Sequence, residues 1–304
     1  MFIRRHWRAI LYSLLLTAFT VYLALDTFVI PRVYAVVPET RVGSGEEAAE
    51  ERDEAQGESG VMVSENAYQD ENISIVITQY RVYETEVYVA DVQLSSAEYL
   101  KTAFAQNAYG RNITQKTSEI AENAGAILAI NGDYYGSQEE GYVLRNGVLY
   151  RNTACPGQED LVIYGDGSFA IIAEEAVTAE ELLSDGAVQI LSFGPALITD
   201  GAVTVSESEE VGKAMASNPR TALGIIDALH YVFVVSDGRT SESAGLSLSE
   251  LAGFMESLGA TTAYNLDGGG SSTMVFNGQV VNNPTTNGRS IRERSVSDIV
   301  YIGY

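Results

Sequence analysis

A chain of 304 residues, 46% of them apolar, can fill one large or two small domains. Its 41 acidic against 18 basic side chains give a formal charge of −23, which argues against nucleic acid or an anionic surface as the partner of the folded part. Cys155 is the single cysteine, which rules out an internal disulfide or a cysteine metal cluster. The two histidines, His6 and His230, lack triad or zinc-site partner motifs, so catalysis falls to carboxylates, hydroxyls, amides and arginines.

Arg4, Arg5 and Arg8 precede an apolar run from Ala9 to Ile30. About 20 such residues span a bilayer as one helix. The arginines place the N-terminus in the cytoplasm and the rest outside, as a single-pass cell-membrane protein. Val33-Tyr34-Ala35 resembles a signal-peptide cleavage site, but the apolar core exceeds the ~7–15 residues of a signal peptide, and an uncleaved anchor over 1–36 is the expectation. From 37 to 67 the chain is polar and acidic, with Glu46-Glu47, Glu50-Glu51 and Asp53-Glu54. Such a stretch buries too little to order itself and reads as a linker holding the folded part off the membrane.

The folded part is expected over 68–304. Ile73–Ile77 and Val87–Val92 read as strands from their β-branched residues. Hairpins follow at Tyr142–Tyr150, around Asn146-Gly147, and at Leu161–Ile172. Thr178 caps a short helix to Leu183, and further strands are expected at Val188–Leu191 and Ala196–Ile198. Arg220–Ile226 and Tyr231–Val235 form a pair, a helix covers Leu248–Leu258, and Val296–Ile302 closes the chain. Hairpins dominate the connections, so the fold class is α+β (mixed α/β), with antiparallel-rich sheets and covering helices.

Two segments share one design. Gly125–Asp133 aligns without a gap on Gly259–Asp267, with Gly, Ala, Ala, Asn and Asp in common. Each is preceded by a helix start, Ser118-Glu119 or Ser249-Glu250, and followed by a hairpin at an Asn-Gly turn, Asn146-Gly147 or Asn277-Gly278. This helix–strand–loop–hairpin pseudo-repeat predicts that Asn131/Asp133 and Asn265/Asp267 stand at related edges of one sheet system. In the second copy Asp267 is followed by Gly268-Gly269-Gly270-Ser271-Ser272. Consecutive glycines suit a loop whose backbone must approach another group closely, and the G-K-[ST] ending of a phosphate loop is absent.

The ordered set Asn131-Gly132-Asp133-Tyr134-Tyr135, Arg220-Thr221-Ala222-Leu223-Gly224, Asp237-Gly238-Arg239, Leu266–Val275 and Arg294–Asp298 resembles the phosphodiester glycosidase family. The resemblance runs from about Leu128 to the C-terminus. It implies cleavage of the glycosidic bond of a sugar-1-phosphodiester, and its bacterial members point to exopolysaccharide or cell-envelope glycans. The family often carries glycine where this chain has Asp133. Such a substrate needs a carboxylate at the anomeric carbon, for which the order is Asp267, Asp133, Asp237. Its phosphate needs guanidinium donors, for which Arg220, Arg239 and Arg294 are candidates. Amides from Gly268 to Ser271 can add an anion-binding nest. The implied substrate-binding set is completed by Thr221, Asn131, Asn265 and Ser272, with Tyr134 and Tyr135 as a wall against a sugar face. No cofactor is fixed by the sequence. Carboxylates beside Gly and Asn carbonyls can hold Ca²⁺ or Mg²⁺, but no EF-hand spacing is present. A glycosyl or phospho-sugar transferase acting on an envelope polymer and a non-catalytic glycan-binding module are the alternatives.

Overall fold

The computed structural model describes residues 2–37, 61–205 and 217–304. Most of the acidic stretch expected as a linker, 38–60, lies outside the described residues. The helix α1 (Phe2–Phe28) holds the apolar run, of which His6–Phe28 is long and apolar enough to cross a membrane. It leads directly into β1 (Arg32–Val36), and β2 (Met62–Val63) and β3 (Ala67–Gln69) follow the gap. β4 (Ile73–Val82) and β5 (Thr85–Leu94) are longer than expected. The mixed stretch from Ala97 carries one 3-10 turn before β6 (Leu100–Phe104) and a second between β6 and β7 (Ala108–Arg111).

Then come α2 (Thr117–Ala124), β8 (Leu128–Asn131), β9 (Val143–Arg145), β10 (Val148–Arg151), β11 (Glu159–Tyr164), β12 (Phe169–Ala173) and α3 (Ala179–Ser184). β13 (Ala187–Leu191), β14 (Ala196–Thr199), β15 (Ala202–Val203), β16 (Thr221–Asp227) and β17 (His230–Ser236) follow. The last elements are α4 (Leu248–Ser257), β18 (Thr262–Leu266), β19 (Met274–Phe276), β20 (Gln279–Val280) and β21 (Asp298–Ile302). Thr178 and Ser247 cap α3 and α4 through capping boxes with Glu181 and Glu250.

All strand pairs are antiparallel, arranged in three larger sheets. One runs β15-β14-β18-β16-β17-β5-β4-β3-β2, a second β20-β19-β8-β21-β6, and a third β10-β9-β13-β11-β12. The main core lies between the nine-stranded sheet and the other two. Tyr231, Phe233 and Val235 of β17 point into it with Ile130, Leu161 and Val300, while Val232 and Val234 point to the opposite face and pack with Leu251 and Met255 of α4. This two-residue alternation explains why β17 reads as an unbroken apolar run: both of its faces are covered. α2 and α3 cover the second and third sheets through separate apolar clusters.

Both halves of the pseudo-repeat fold as helix, strand, loop and hairpin. The expectation of one shared sheet system is corrected: β8 belongs to the second sheet and β18 to the nine-stranded one. Each repeat's hairpin also leaves its own strand's sheet, because β9–β10 joins the third sheet and β19–β20 pairs with β8, Met274 opposite Ile130. The two Asn-x-Asp loops still meet, since the Asn131 side chain of the first donates to the Asp267 carbonyl of the second.

Candidate active site

β18 and β16 set the floor of the site, with Thr221 opposite Leu266 and Ala222 opposite Asn265. Where β18 ends, Asp267 enters the glycine loop. Its Oδ2 accepts hydrogen bonds from the Ser271 hydroxyl and from Nη2 of Arg294, both at 2.6 Å. Arg294 Nε also donates to Ser271 Oγ at 2.8 Å, so Ser271 is fully committed between acid and base. Oδ1 of Asp267 takes no hydrogen bond among the described residues, and the side chain is 14% exposed. One carboxylate oxygen is thus held while its twin is left unengaged by the described residues.

The first repeat supplies the brace. Asn131, fully buried at the end of β8, donates from Nδ2 to the Asp267 carbonyl at 2.6 Å. Its Oδ1 accepts from the Thr221 hydroxyl at 2.8 Å and from the Thr273 N–H at 3.2 Å. One amide therefore ties the strand carrying Asp267, the strand carrying Thr221 and the segment leaving the loop. Asn265 turns the other way, donating to the Gly194 carbonyl at 2.7 Å. Its Oδ1, with Ser272 Oγ and Thr273 Oγ1, is buried without a hydrogen-bond partner among the described residues.

Three arginines gather at the loop. Arg220 is buried, its Nε donating to the Leu246 carbonyl at 2.9 Å and its backbone N–H to Ser236 Oγ at 2.9 Å. Arg239 is exposed, with Nε and Nη2 on Asn218 Oδ1 at 3.2 and 3.1 Å and Nη1 on the Thr286 carbonyl at 2.6 Å. Arg294 is exposed as well. In a chain of this charge, three guanidinium groups around one short loop concentrate positive charge there.

The loop glycines answer to close packing. A Cβ on Gly268 would lie 2.8 Å from the Pro219 carbonyl, one on Gly269 2.8 Å from Arg239 Nη2, and one on Gly270 2.3 Å from Thr286 Oγ1. The expected cradle of loop amides is corrected in part. The Gly269 N–H donates to the Pro219 carbonyl at 2.8 Å and that of Ser271 to the Gly268 carbonyl at 3.3 Å, so these two are spent within the protein. Gly270→Ala is expected to push the loop off Thr286 and to destabilise the domain by about 1–3 kcal/mol. Thr286→Ala should recover part of it, which chemical denaturation of the single and double variants checks.

Asp133 and Asp237 lie apart from this cluster, each buried in a network of its own. Asp133 Oδ2 receives Nη2 of Arg145 at 2.7 Å and the Ser192 N–H at 3.0 Å, while Oδ1 caps the Tyr135 N–H at 3.0 Å. Arg145 also donates from Nε and Nη2 to Asp298 Oδ2 at 3.0 and 2.8 Å. Burial and the neighbouring Asp133 raise the proton affinity of Asp298. Asp237 accepts from the Asn283 N–H at 2.8 Å, Asn283 Nδ2 at 2.9 Å and Asn282 Nδ2 at 3.2 Å. Asn282 in turn donates to the Ser272 carbonyl at 3.0 Å, so Asp237 fixes the far end of the glycine loop from below. Of the expected aromatic wall, Tyr134 is 42% exposed, whereas Tyr135 is core and stacks on Tyr109 with ring centroids 5.5 Å apart.

Sequence reading missed Arg145, Asn282 and Asn283. A signal for Arg145 was available: an arginine closing the apolar run Tyr142-Val143-Leu144, in a basic-poor chain, has to be paired inside. Asn282-Asn283-Pro284 looks like an ordinary turn and carried no such sign.

Asp160 of β11 is a further buried acid. Its carboxyl is pushed up to about 9, first by burial and then by the adjacent Glu174. A carboxyl that holds its proton more tightly folded than unfolded stabilises the fold below its unfolded value near 3.8, and that contribution is lost as pH rises to about 9. Asp298 acts with the same sign. The thermal midpoint is therefore expected to fall between pH 5 and 9, and Asp160→Asn to flatten that fall, as scanning calorimetry across the range would show.

Among the described residues, no group of three or more His, Cys, Asp and Glu side chains is arranged to hold a metal ion.

Comparison with known proteins places this geometry. The family model described as phosphodiester glycosidase matches residues 124–303, more than half of the chain. The SPbeta prophage-derived uncharacterized protein YomE of Bacillus subtilis is 27% identical over 239 residues, covering 76% of this chain and 36% of that protein. The N-acetylglucosamine-1-phosphodiester alpha-N-acetylglucosaminidases of mouse and cattle are 30% and 31% identical, each over 55% of this chain and 33% and 34% of their own lengths. The chain thus spans about a third of the curated relatives it matches. The solved catalytic domain of the zebrafish enzyme of that name superposes with a TM-score of 0.61 at 20% identity, covering 76% of this chain and 83% of that one. A hypothetical protein from Synechocystis gives 0.57 at 15% identity, over 77% and 62%. These two likenesses show the fold.

Proposed function

The chain belongs to the phosphodiester glycosidase family, and on that premise we propose that it hydrolyses the glycosidic bond of sugar-1-phosphodiesters, with Asp267 as the reacting carboxylate. The observation that carries this is the asymmetry of Asp267: Oδ2 is fixed by Ser271 and Arg294, and Oδ1 takes no hydrogen bond among the described residues. A carboxylate so held can attack the anomeric carbon or draw a proton from water that does so. The C1–O bond breaks, and its electron pair leaves on the phosphate oxygen. Water supplies the hydroxyl of the free sugar, and the aglycone departs as a phosphomonoester. Phosphate is a good leaving group, so little general-acid help is needed and one carboxylate suffices.

Arg294 and Arg239 take the phosphate oxygens, with Arg220 adding positive potential from beneath Gly268. Asn131 and Thr221 position Asp267, while Asn265, Ser272 and Thr273 offer buried polar atoms that a sugar hydroxyl or water can satisfy. Asp133 and Asp237 act as positioning residues from their buried networks. In this reading α1 anchors the enzyme in the cell membrane with the domain outside, and the donor belongs to a cell-envelope or exopolysaccharide glycan. Support comes from the apolar span His6–Phe28.

Detergent-solubilised full-length protein incubated with a panel of sugar-1-phosphodiesters, N-acetylglucosamine donors first, tests the proposal. It is run with and without Ca²⁺, Mg²⁺ and a saccharide acceptor. Free sugar and phosphomonoester without an acceptor are expected. Product that appears only when an acceptor is supplied would make the protein a transferase instead.

A further inference from the structure

The strand that follows the anchor is part of the domain. β1 pairs antiparallel with β7, Arg32 opposite Arg111, Val33 opposite Gly110, Ala35 opposite Tyr109 and Val36 opposite Ala108, and the Val37 N–H donates to the Asn107 carbonyl at 2.8 Å. The domain is shaped to receive it. A Cβ on Gly110 would stand 1.9 Å from the Arg32 carbonyl oxygen, so only glycine lets the β1 backbone in. Ala35 and Val37 pack on the cluster of Phe104, Tyr109, Tyr135 and Val143, and the Tyr34 ring lies 6.0 Å from that of Tyr109. The end of α1 is clasped too. Asn112 donates from Nδ2 to the carbonyls of Thr27 and Ile30, each at 3.2 Å, supplying partners that a helix C-terminus lacks.

We propose that β1 clamps the domain onto the bilayer face, so that the enzyme takes phosphodiester glycosides carried on lipid at the membrane surface in preference to those free in solution. This deepens the function proposed above and rests on it, and on α1 as a membrane span. Between Phe28 and Arg32 the chain reaches at most about 14 Å, and the polar zone of a leaflet is about 5–7 Å thick. With β1 undocked, the span would no longer be joined to the domain through this short connection, and the domain could stand farther from the bilayer. On β1, Val33, Tyr34 and Val36 are 57%, 60% and 74% exposed, following the exposed Phe28 and Val29 in sequence. An exposed apolar strip running on from a membrane span, with a tyrosine in it, fits the lipid interface.

The test uses the full chain in phosphatidylcholine/phosphatidylglycerol vesicles, with Cys155→Ser as background. Val36→Cys with Ala108→Cys is expected to oxidise to an intrachain disulfide; failure to cross-link overturns the clamp. In parallel, one sugar-1-phosphate headgroup is offered on a long alkyl chain in the vesicles and as its soluble methyl ester. The parent chain should cleave the lipid-borne donor at least tenfold faster. A 20-residue Gly-Ser insertion between Ile30 and Pro31 should abolish that preference and leave the soluble rate within twofold. Equal rates on both donors, or a preference that survives the insertion, would overturn the proposal. If neither donor is cleaved, the glycosidase reading fails and takes the substrate half of the proposal with it, while the cross-link still decides the clamp.

Discussion

Asp267→Asn is expected to lower kcat by about 10²–10⁴-fold and to leave KM within a few-fold. The amide is nearly isosteric and its oxygen can still accept from Ser271 and Arg294, so the loop should keep its shape. What disappears is the negative charge that must meet a developing oxocarbenium ion, or take a proton from water, and that loss falls on the transition state. Arg294 loses its anionic partner at the same time. Phosphate binding by that guanidinium is then unopposed, which is why no rise in KM is expected. Steady-state kinetics with the fold checked by circular dichroism separates the two effects. Turnover within tenfold of the parent would mean that Asp267 positions Arg294 and that the reacting carboxylate is another.

The second large effect is on stability. Arg145→Met should destabilise the domain by about 3–5 kcal/mol, a fall of roughly 6–20 °C in thermal midpoint. Arg145 is buried between Asp133 and Asp298, lies over the Tyr135 ring at 5.8 Å, and donates to the Leu144 carbonyl at 3.1 Å and to that of Ile190. Removing the cation alone leaves two buried acids facing each other, whereas the intact triad is a near-balanced arrangement. Asp133→Asn and Asp298→Asn added to Arg145→Met should therefore recover a good part of the loss. A triple variant no better than Arg145→Met would show that the arginine works through its backbone contacts and not through charge.

Much of the site was legible because its chemistry is local to short motifs. The pseudo-repeat singles out Asn131 in one copy and Asp267 in the other, and the structure joins them through one hydrogen bond. Arg294 stands out because arginine is scarce here, and it donates to Asp267. The two aspartates of the repeat look alike in sequence yet part company in space. Asp267 meets an arginine on an exposed segment, while Asp133 meets Arg145 inside a buried hairpin, and nothing within either motif encodes which partner arrives. Sheet membership was hidden for a similar reason, since a strand covered on both faces shows no alternation to say which layer it joins. β1 was masked by the apolar run before it, which Val33 to Val37 resumes after Pro31 and Arg32, and its pairing with β7 and the missing Cβ of Gly110 show that the strand has a seat.

In the proposed reaction the bond broken lies between the anomeric carbon and oxygen. Hydrolysis of a sugar-1-phosphodiester in ¹⁸O-water, followed by mass spectrometry of both products, reports which bond breaks. Attack at the sugar carbon places heavy oxygen in the free sugar and none in the phosphomonoester. Heavy oxygen in the phosphate would mean cleavage at phosphorus, and would contradict the assignment of Asp267 to the sugar carbon.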